Sequence, residues 1–246
     1  MGARSSNDAV RLVVGSDRVA LCGALREVTT HTHSSAAVVV GLDGPLEFRA
    51  GRTHRSRAVL LAPGFCHAVG VERSRLAVFL LPPHAVAATS VGPLRDLAYP
   101  GRWIELGSAL LRDELTSFAP IDRCLARERL AMRPIDERLS TATTMIAETL
   151  DENLPIEAIA ADAKLSASRL MALAREQLGT SLRSYRRWLR TFQVARRYAA
   201  GASLTEAAYA SGFSSSAHLA AAAREHFGIR PSQVLSPTNR PAILPL

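Results

Sequence analysis

The chain has 246 residues, 48% of them hydrophobic and 21% charged, with a formal net charge of +8. That length accommodates two modest domains, and the positive balance admits a nucleic-acid partner without requiring one. Neither a signal-peptide-like apolar run nor a stretch of ~18 uncharged apolar residues occurs, so the expectation is a cytoplasmic protein with no membrane span.

Up to about Leu81 the pattern is β-like. VALCGALREV, AAVVVGLDG, PLEFRA, RAVLLAP and RLAVFLLPP are aliphatic runs separated by DG, GP and PG turn signals, a spacing that predicts a sandwich or small barrel. From Leu94 the period turns helical, with Trp103, Leu106, Leu110 and Phe118 near one face. The segment Trp103 to Leu130 either packs on the barrel or pairs with a second copy as a dimer seam. A boundary falls near Ala131 to Pro134, beyond which short helices are broken by Gly, Pro and Ser. The expected division is residues 1–100 as a β domain, 101–133 as a helical linker or dimerisation segment, 134–236 as an all-α domain and 237–246 as a tail. Cys22, Cys66 and Cys124 are far apart and outside any CxxC pair, which predicts free thiols.

Charge gathers in one place. From Lys164 to Arg197 nine basic residues stand against the single acid Glu176, and the rest of the chain is balanced. Such a strip reads as a face for a polyanion. The same region repeats itself: IEAIAADAKLSASRLMALAREQLGTS, from Ile156, aligns with LTEAAYASGFSSSAHLAAAAREHFGIRPS, from Leu204. Each copy has an Ala-rich short helix, a tight turn and a second helix ending in ARE and Gly, which is a helix-turn-helix. Ser166 and Ser214 are the expected N-caps. Gly212 supplies positive φ at its turn, where the counterpart Lys164 must tolerate it. Small residues Ala160 and Ala207 let the helices cross closely. Between the repeats, SLRSYRRWLRTFQVARRYAAG carries an apolar stripe opposite its arginines and predicts one long connecting helix.

In order and spacing, LPIEAIAADAKLSASRL, LGTSLRSYRRWLR and YASGFSSSAHLAAAAREHFGIRPSQ resemble the DNA-binding domain of the AraC/XylS transcription regulators. The resemblance runs from about Ile135 to Val234. It implies two helix-turn-helix units entering successive major grooves of promoter DNA, attached to an N-terminal domain that senses a small molecule or dimerises. It also implies base-facing positions at Ser168, Arg169, Met171 and Ala172, and at Ser216, Ala217, Ala220 and Ala221. Phosphate contacts are expected from Lys164, Arg175, Arg186, Arg187 and Arg190, with Ser166 and Ser214 at the helix starts. The family often has Arg where Ala172 and Ala221 stand, and a large aromatic where Ala174 and Ala223 stand. Binding led by phosphate contacts and DNA shape is therefore expected, as is a core that needs Met171, Trp188, Phe192 and Phe213 to fill the missing volume.

In the first half, His31-Thr32-His33 and the run APGFCH ending at His67 resemble the motifs of a cupin barrel, the common sensor domain of such regulators. The Glu that normally follows the first motif is missing from SSAAVVV. Three imidazoles in one barrel could hold a divalent metal, or they are framework residues with hydrogen-bonded rings. Phe48, Phe65 and Phe79 are candidate lining residues for an effector. Cys66 and His67, adjacent on a strand, point to opposite faces. No nucleophile with a base, phosphate loop or paired acids stands out, so no enzyme activity is expected. The expectation is thus a multidomain α and β protein: a cupin-like β-barrel, then two helix-turn-helix units on a long linker helix, acting as a homodimeric DNA-binding regulator that meets RNA polymerase if it activates. The alternatives are a cupin-like metal-dependent enzyme and a degenerate regulator acting through protein partners.

Overall fold

The computed structural model describes residues 10–15, 17–25, 28–71, 74–83, 92–130, 134–236 and 240–244. The start of the chain, most of the expected boundary at 131–134 and part of the tail lie outside them.

Two sheets form the N-terminal half. The seven-stranded one runs β10 (Leu94–Asp96), β7 (Ala58–Leu61), β4 (Ala36–Gly41), β9 (Arg75–Leu81), β2 (Val19–Ala24), β1 (Arg11–Val14) and β11 (Ala242–Ile243). The four-stranded one runs β3 (His31–Thr32), β8 (Cys66–Gly70), β5 (Leu46–Ala50) and β6 (Arg52–Ser56). The aliphatic runs of the sequence become the central strands β2, β4, β7 and β9. Strand β4 is buried along its whole length because it is covered on both sides, which is why it reads as a continuous apolar run rather than an alternating one. Its Ala37 and Val39 join Leu46, Phe48 and Val69 of the small sheet in an inner core. Its Val38 and Val40 face the other way.

That outer face is covered by α1 (Pro100–Leu111) and α2 (Ala119–Arg127). The expected single helical segment is therefore two helices, and Leu94 to Asp96 is a strand rather than the start of helix. Trp103 is fully buried against Phe79, with ring centroids 5.4 Å apart. Phe79 thus belongs to the helix-covered face and does not line the barrel interior, whereas Phe48 does face inward. Gly107 allows α1 close to the sheet: a Cβ there would lie 2.7 Å from Ala77 and from Leu42. Arg18, almost buried, anchors α2 by an ion pair with Asp122 at 2.5 Å. Cys22 and Cys124 are buried free thiols, and burial pushes that of Cys22 up to about 12. Such thiols are chemically quiet.

The helical half holds α3 (Glu137–Glu148), α4 (Ile156–Asp162), α5 (Ala167–Leu178), α6 (Leu182–Ala199), α7 (Leu204–Tyr209), α8 (Ser216–Phe227) and α9 (Pro231–Val234). No helix among the described residues is long and apolar enough to cross a membrane. The two helix-turn-helix units are packed differently. Helices α3, α4 and α5 share a core of their own, including Leu139, Ile146, Ile159, Leu170 and Leu173. The second unit does not: Phe192, Val194, Leu219, Ala222 and Ile229 belong to the same apolar cluster as the barrel interior. Residues 240–244 of the expected tail are held in place: β11 pairs in parallel with β1, and Arg240 donates to the carbonyls of Tyr198 and Ala202.

The packing of α1 makes Trp103 the key to the outer face. Trp103→Ala is expected to cost about 3–5 kcal/mol of stability, read as a lower midpoint in chemical denaturation monitored by circular dichroism.

Candidate functional site

Each helix-turn-helix unit is built from local chemistry. In the first, Lys164 adopts φ 56° at the turn and Ser166 caps α5, its hydroxyl accepting from Arg169 N at 3.2 Å. In the second, Ser203 and Glu206 form a capping box on α7, and Gly212 turns the chain at φ +79°. The cap of α8 is Ser215, which accepts from His218 N at 3.1 Å. The expected cap Ser214 sits one residue earlier, its hydroxyl 3.2 Å from His218 Nδ1. In a run of three serines, sequence alone does not say which one has the extended backbone that a cap requires. Both second helices end in left-handed glycines, Gly179 and Gly228.

The expected base-facing residues lie at the surface. Ser168, Arg169, Met171 and Ala172 of α5 are exposed, as are Ser216, Ala217 and Ala221 of α8, with Ala220 half-buried. Met171 is 38% exposed, so it does not fill the space beside Ala174, contrary to expectation. Trp188, Phe192 and Phe213 are buried.

The basic strip divides. Lys164, Arg169, Arg175 and Arg183 are exposed. Arg186 donates to Asn153 Oδ1 at 3.0 Å and to the Leu154 carbonyl at 2.7 Å, and Arg190 donates to Asn153 Oδ1 at 3.1 Å and the Leu150 carbonyl at 3.3 Å. Burial lowers the pKa of both guanidinium groups. These two arginines satisfy the carbonyls between α3 and α4 and fix the linker helix to the first unit. Arg187 pairs with Glu225 and so ties α6 to α8.

A second constellation lies in the barrel. Strands β3 and β8 set His31 directly opposite His67, and His33 follows two residues on. All three are buried, and one ring nitrogen from each lies within 4.8 Å of the others. His31 Nδ1–H donates to the Thr29 carbonyl at 2.8 Å and His67 Nδ1–H to the Phe65 carbonyl at 3.1 Å. These bonds leave both Nε2 atoms unprotonated. His31 Nε2 is 3.1 Å from His33 Nε2, whereas His67 Nε2 is buried without a partner. Burial holds His31 down at about 4, His33 well below its ordinary range and His67 lowered as well. Phe65 stacks on His67 at 5.6 Å. Cys66 is exposed while His67 is buried, the opposite-face arrangement that a strand imposes. Elsewhere, His54 pairs with Asp96 on the surface at 2.9 Å.

The end of α8 closes over these histidines. Thr29 donates to the Gly228 carbonyl through N at 2.9 Å and through Oγ1 at 3.1 Å. Ser34 Oγ and His226 Nδ1 are 3.1 Å apart, both buried. Phe227 lies 6.2 Å from the His33 ring. Sequence reasoning missed this contact altogether, because its partners are nearly two hundred residues apart and neither carries a motif for the other. Beside it, an apolar cavity of about 80 Å³ sits between barrel and second unit, lined by Leu12, Leu21, Trp188, Phe192, Ala223 and Val234 among others. It includes one of the two positions where the resemblance implies an aromatic and this chain has alanine.

Residues 138–236 match a family model described as a helix-turn-helix domain. Over 91% of this chain and 98% of the other, the fold is similar to an apo ToxT variant from Vibrio cholerae strain SCE256, with TM-score 0.63 at 10% identity. Unsaturated fatty acid-bound wild-type ToxT from the same strain matches over 92% of this chain and 93% of that one, with TM-score 0.56 at 12% identity. A transcriptional regulator with an AraC-type DNA-binding domain from Chromobacterium violaceum shares 27% identity over 40% of this chain and 89% of that one, with TM-score 0.38. No curated protein matches the chain by sequence. Residues 138–236 are an AraC-type helix-turn-helix DNA-binding domain. The chain is accordingly a DNA-binding transcription regulator, with a strand-rich N-terminal domain arranged as in ToxT.

The two classes of arginine separate experimentally. Arg186→Ala/Arg190→Ala is expected to lower stability by about 1–3 kcal/mol, because buried carbonyls lose their donors. Arg169→Ala is expected to leave the urea midpoint in place and to weaken DNA binding, with the salt slope reduced by about 1. Urea titration beside fluorescence anisotropy on the same preparations checks both.

Proposed function

We propose that this regulator reads DNA with both units through phosphate contacts and groove shape, and that it answers to a small apolar effector seated between its two domains. The carrying observation is the cavity of about 80 Å³ at a seam where barrel and second unit share one core. A molecule entering it touches the barrel strands and helices α6 and α8 at once. It thereby biases how firmly the second unit is held, which is what a ligand must do to shift a two-state equilibrium. ToxT has been solved with an unsaturated fatty acid bound, and that ligand class suits an apolar lining here.

On the DNA side, α5 and α8 offer Ser168, Arg169 and Ser216 with the methyl groups of Ala172, Ala217 and Ala221. Bidentate Arg-to-guanine contacts, worth about 1–3 kcal/mol of discrimination each, are thereby fewer than the family pattern would supply. Affinity then comes chiefly from the exposed basic residues Lys164, Arg169, Arg175 and Arg183, with base sequence entering through deformability. We place the protein in the cytoplasm as a homodimer, with Ile104 and Leu111, seven residues apart on one side of α1 and only partly covered, at the face a second copy would meet. As an activator it would contact RNA polymerase.

Two measurements test the reading. Anisotropy of a labelled duplex carrying half-sites one helical turn apart is expected to show binding that falls linearly with log salt; no binding at low salt by the folded protein would sink it. Ala223→Phe, which fills the cavity, is expected to raise the melting temperature and to remove any response of DNA affinity to an added unsaturated fatty acid. An equal response in that variant would put the effector elsewhere.

A further inference from the structure

We infer that His31, His33 and His67 form a binding site for a late first-row divalent metal ion, zinc by preference, and that this site and the docked end of α8 stabilise each other. The donor set fits. Tetrahedral zinc–nitrogen bonds of ~2.0–2.1 Å place neighbouring nitrogens ~3.3 Å apart, and His31 Nε2 and His33 Nε2 are already 3.1 Å apart. All three donor atoms lie within 4.8 Å of one another, so His67 needs only a modest ring movement to close the set.

The second shell fits as well. His31 and His67 each spend Nδ1–H on a backbone carbonyl, that of Thr29 and that of Phe65, the arrangement that turns Nε2 lone pairs towards a metal and raises their basicity. Without an ion, one pairing is available: His33 donates its Nε2–H to His31. His67 Nε2 then stays buried with nothing to accept from, an unfavourable arrangement that a cation would relieve. A cavity of about 30 Å³ adjoins the three rings, room for a water as fourth ligand. Three imidazoles without a carboxylate or thiolate suit zinc or its neighbours in the series better than magnesium or calcium.

The link to α8 runs through Thr29. Its carbonyl accepts from His31 while its N–H and hydroxyl hold the Gly228 carbonyl at the end of α8. Gly228 approaches so closely that a Cβ would stand 2.6 Å from His31 Nδ1, and Phe227 borders the same cavity. Fixing the His31 ring therefore fixes the surface on which α8 rests. By reciprocity, a docked α8 holds the ring in its metal-binding orientation. None of this depends on whether an effector occupies the larger cavity or on which DNA is bound.

The test uses the full chain, stripped with chelator and titrated with zinc by calorimetry, with metal content measured after desalting and hydrogen exchange followed by mass spectrometry. One zinc per chain is expected, weakened more than about 100-fold in His33→Gln and in His67→Gln. Exchange across residues 216–230 is expected to slow by up to about 100-fold in the wild type at free zinc ~100 times Kd, since the undocked state lacks the site, and to stay unchanged in the variants. Circular dichroism of the metal-free proteins shows whether a variant that loses zinc still folds; Thr29→Val, which keeps every ligand but removes one bond to Gly228, is expected to bind zinc several-fold more weakly. A folded wild type that retains no stoichiometric zinc, or variants that bind it equally, would overturn the site. Zinc bound with no change in exchange over 216–230 would overturn the coupling.

Discussion

The continuous hydrophobic core between the barrel and the second helix-turn-helix unit governs most of what this molecule can do. Apolar side chains of β1, β2 and β9 meet those of α6 and α8 directly, so neither partner is complete on its own. A domain pair joined in this way resists separation roughly in proportion to the apolar area it hides, unlike the wetter, more polar contacts that usually let domains move. The first unit has closed its core within α3 to α6 and comes close to the barrel at Gly64, where a Cβ would stand 2.9 Å from the Gly179 carbonyl oxygen. One helix-turn-helix unit is thus fused to the barrel and the other is built to stand by itself. For both to meet one duplex, the fused unit fixes the frame and the linker helix α6 carries the other into register.

That division explains why the arginines are not interchangeable. The strip looks uniform as charge, yet Arg186 and Arg190 face carbonyls left over between α3 and α4 and keep them satisfied, while Arg187 is spent on Glu225. An arginine half-buried against carbonyls is placed by hydrogen bonding and desolvated accordingly. Its charge still adds to the field around the domain, but its fork is already occupied. The exposed members at the helix surfaces retain theirs, and they are the residues able to exchange counterions for phosphates.

The sequence made much of this legible and left a definite remainder. Repetition, turn chemistry and periodicity revealed two helix-turn-helix units, the Ser166 cap, the positive φ at Gly212 and the single long α6, because each rests on residues a few positions apart. Long aliphatic runs disclosed the central strands. Short or mixed strands such as β3, β6 and β10 were hidden, since two to five residues carry too little pattern, and the pairing of β11 with β1 is a tertiary event with no local signature. The three histidines could be named as a group but not phased. Only the β3–β8 register shows that His31 faces His67, and only the docked α8 shows what covers them. Phe79 was misplaced for a related reason: a strand buried on both faces gives no alternation from which to read the inside.

The Ala-rich character of α8 finds a physical role in this arrangement. On its outer face alanine offers only methyl contacts to bases, which reduces specificity through direct hydrogen bonding. On its inner face Ala222 and Ala223 are buried, and Ala223 borders an unfilled volume beside Trp188 and Phe192. An unfilled apolar cavity costs stability in proportion to its size, and this one is placed where the two domains meet, next to the histidines and the Thr29–Gly228 contact. Small residues on both faces of α8 therefore have separate effects: the outward ones reduce base contacts, and the inward Ala223 leaves space in a cavity that barrel and helix line together. A bulkier inner face would fill that space and remove the cost of leaving it empty.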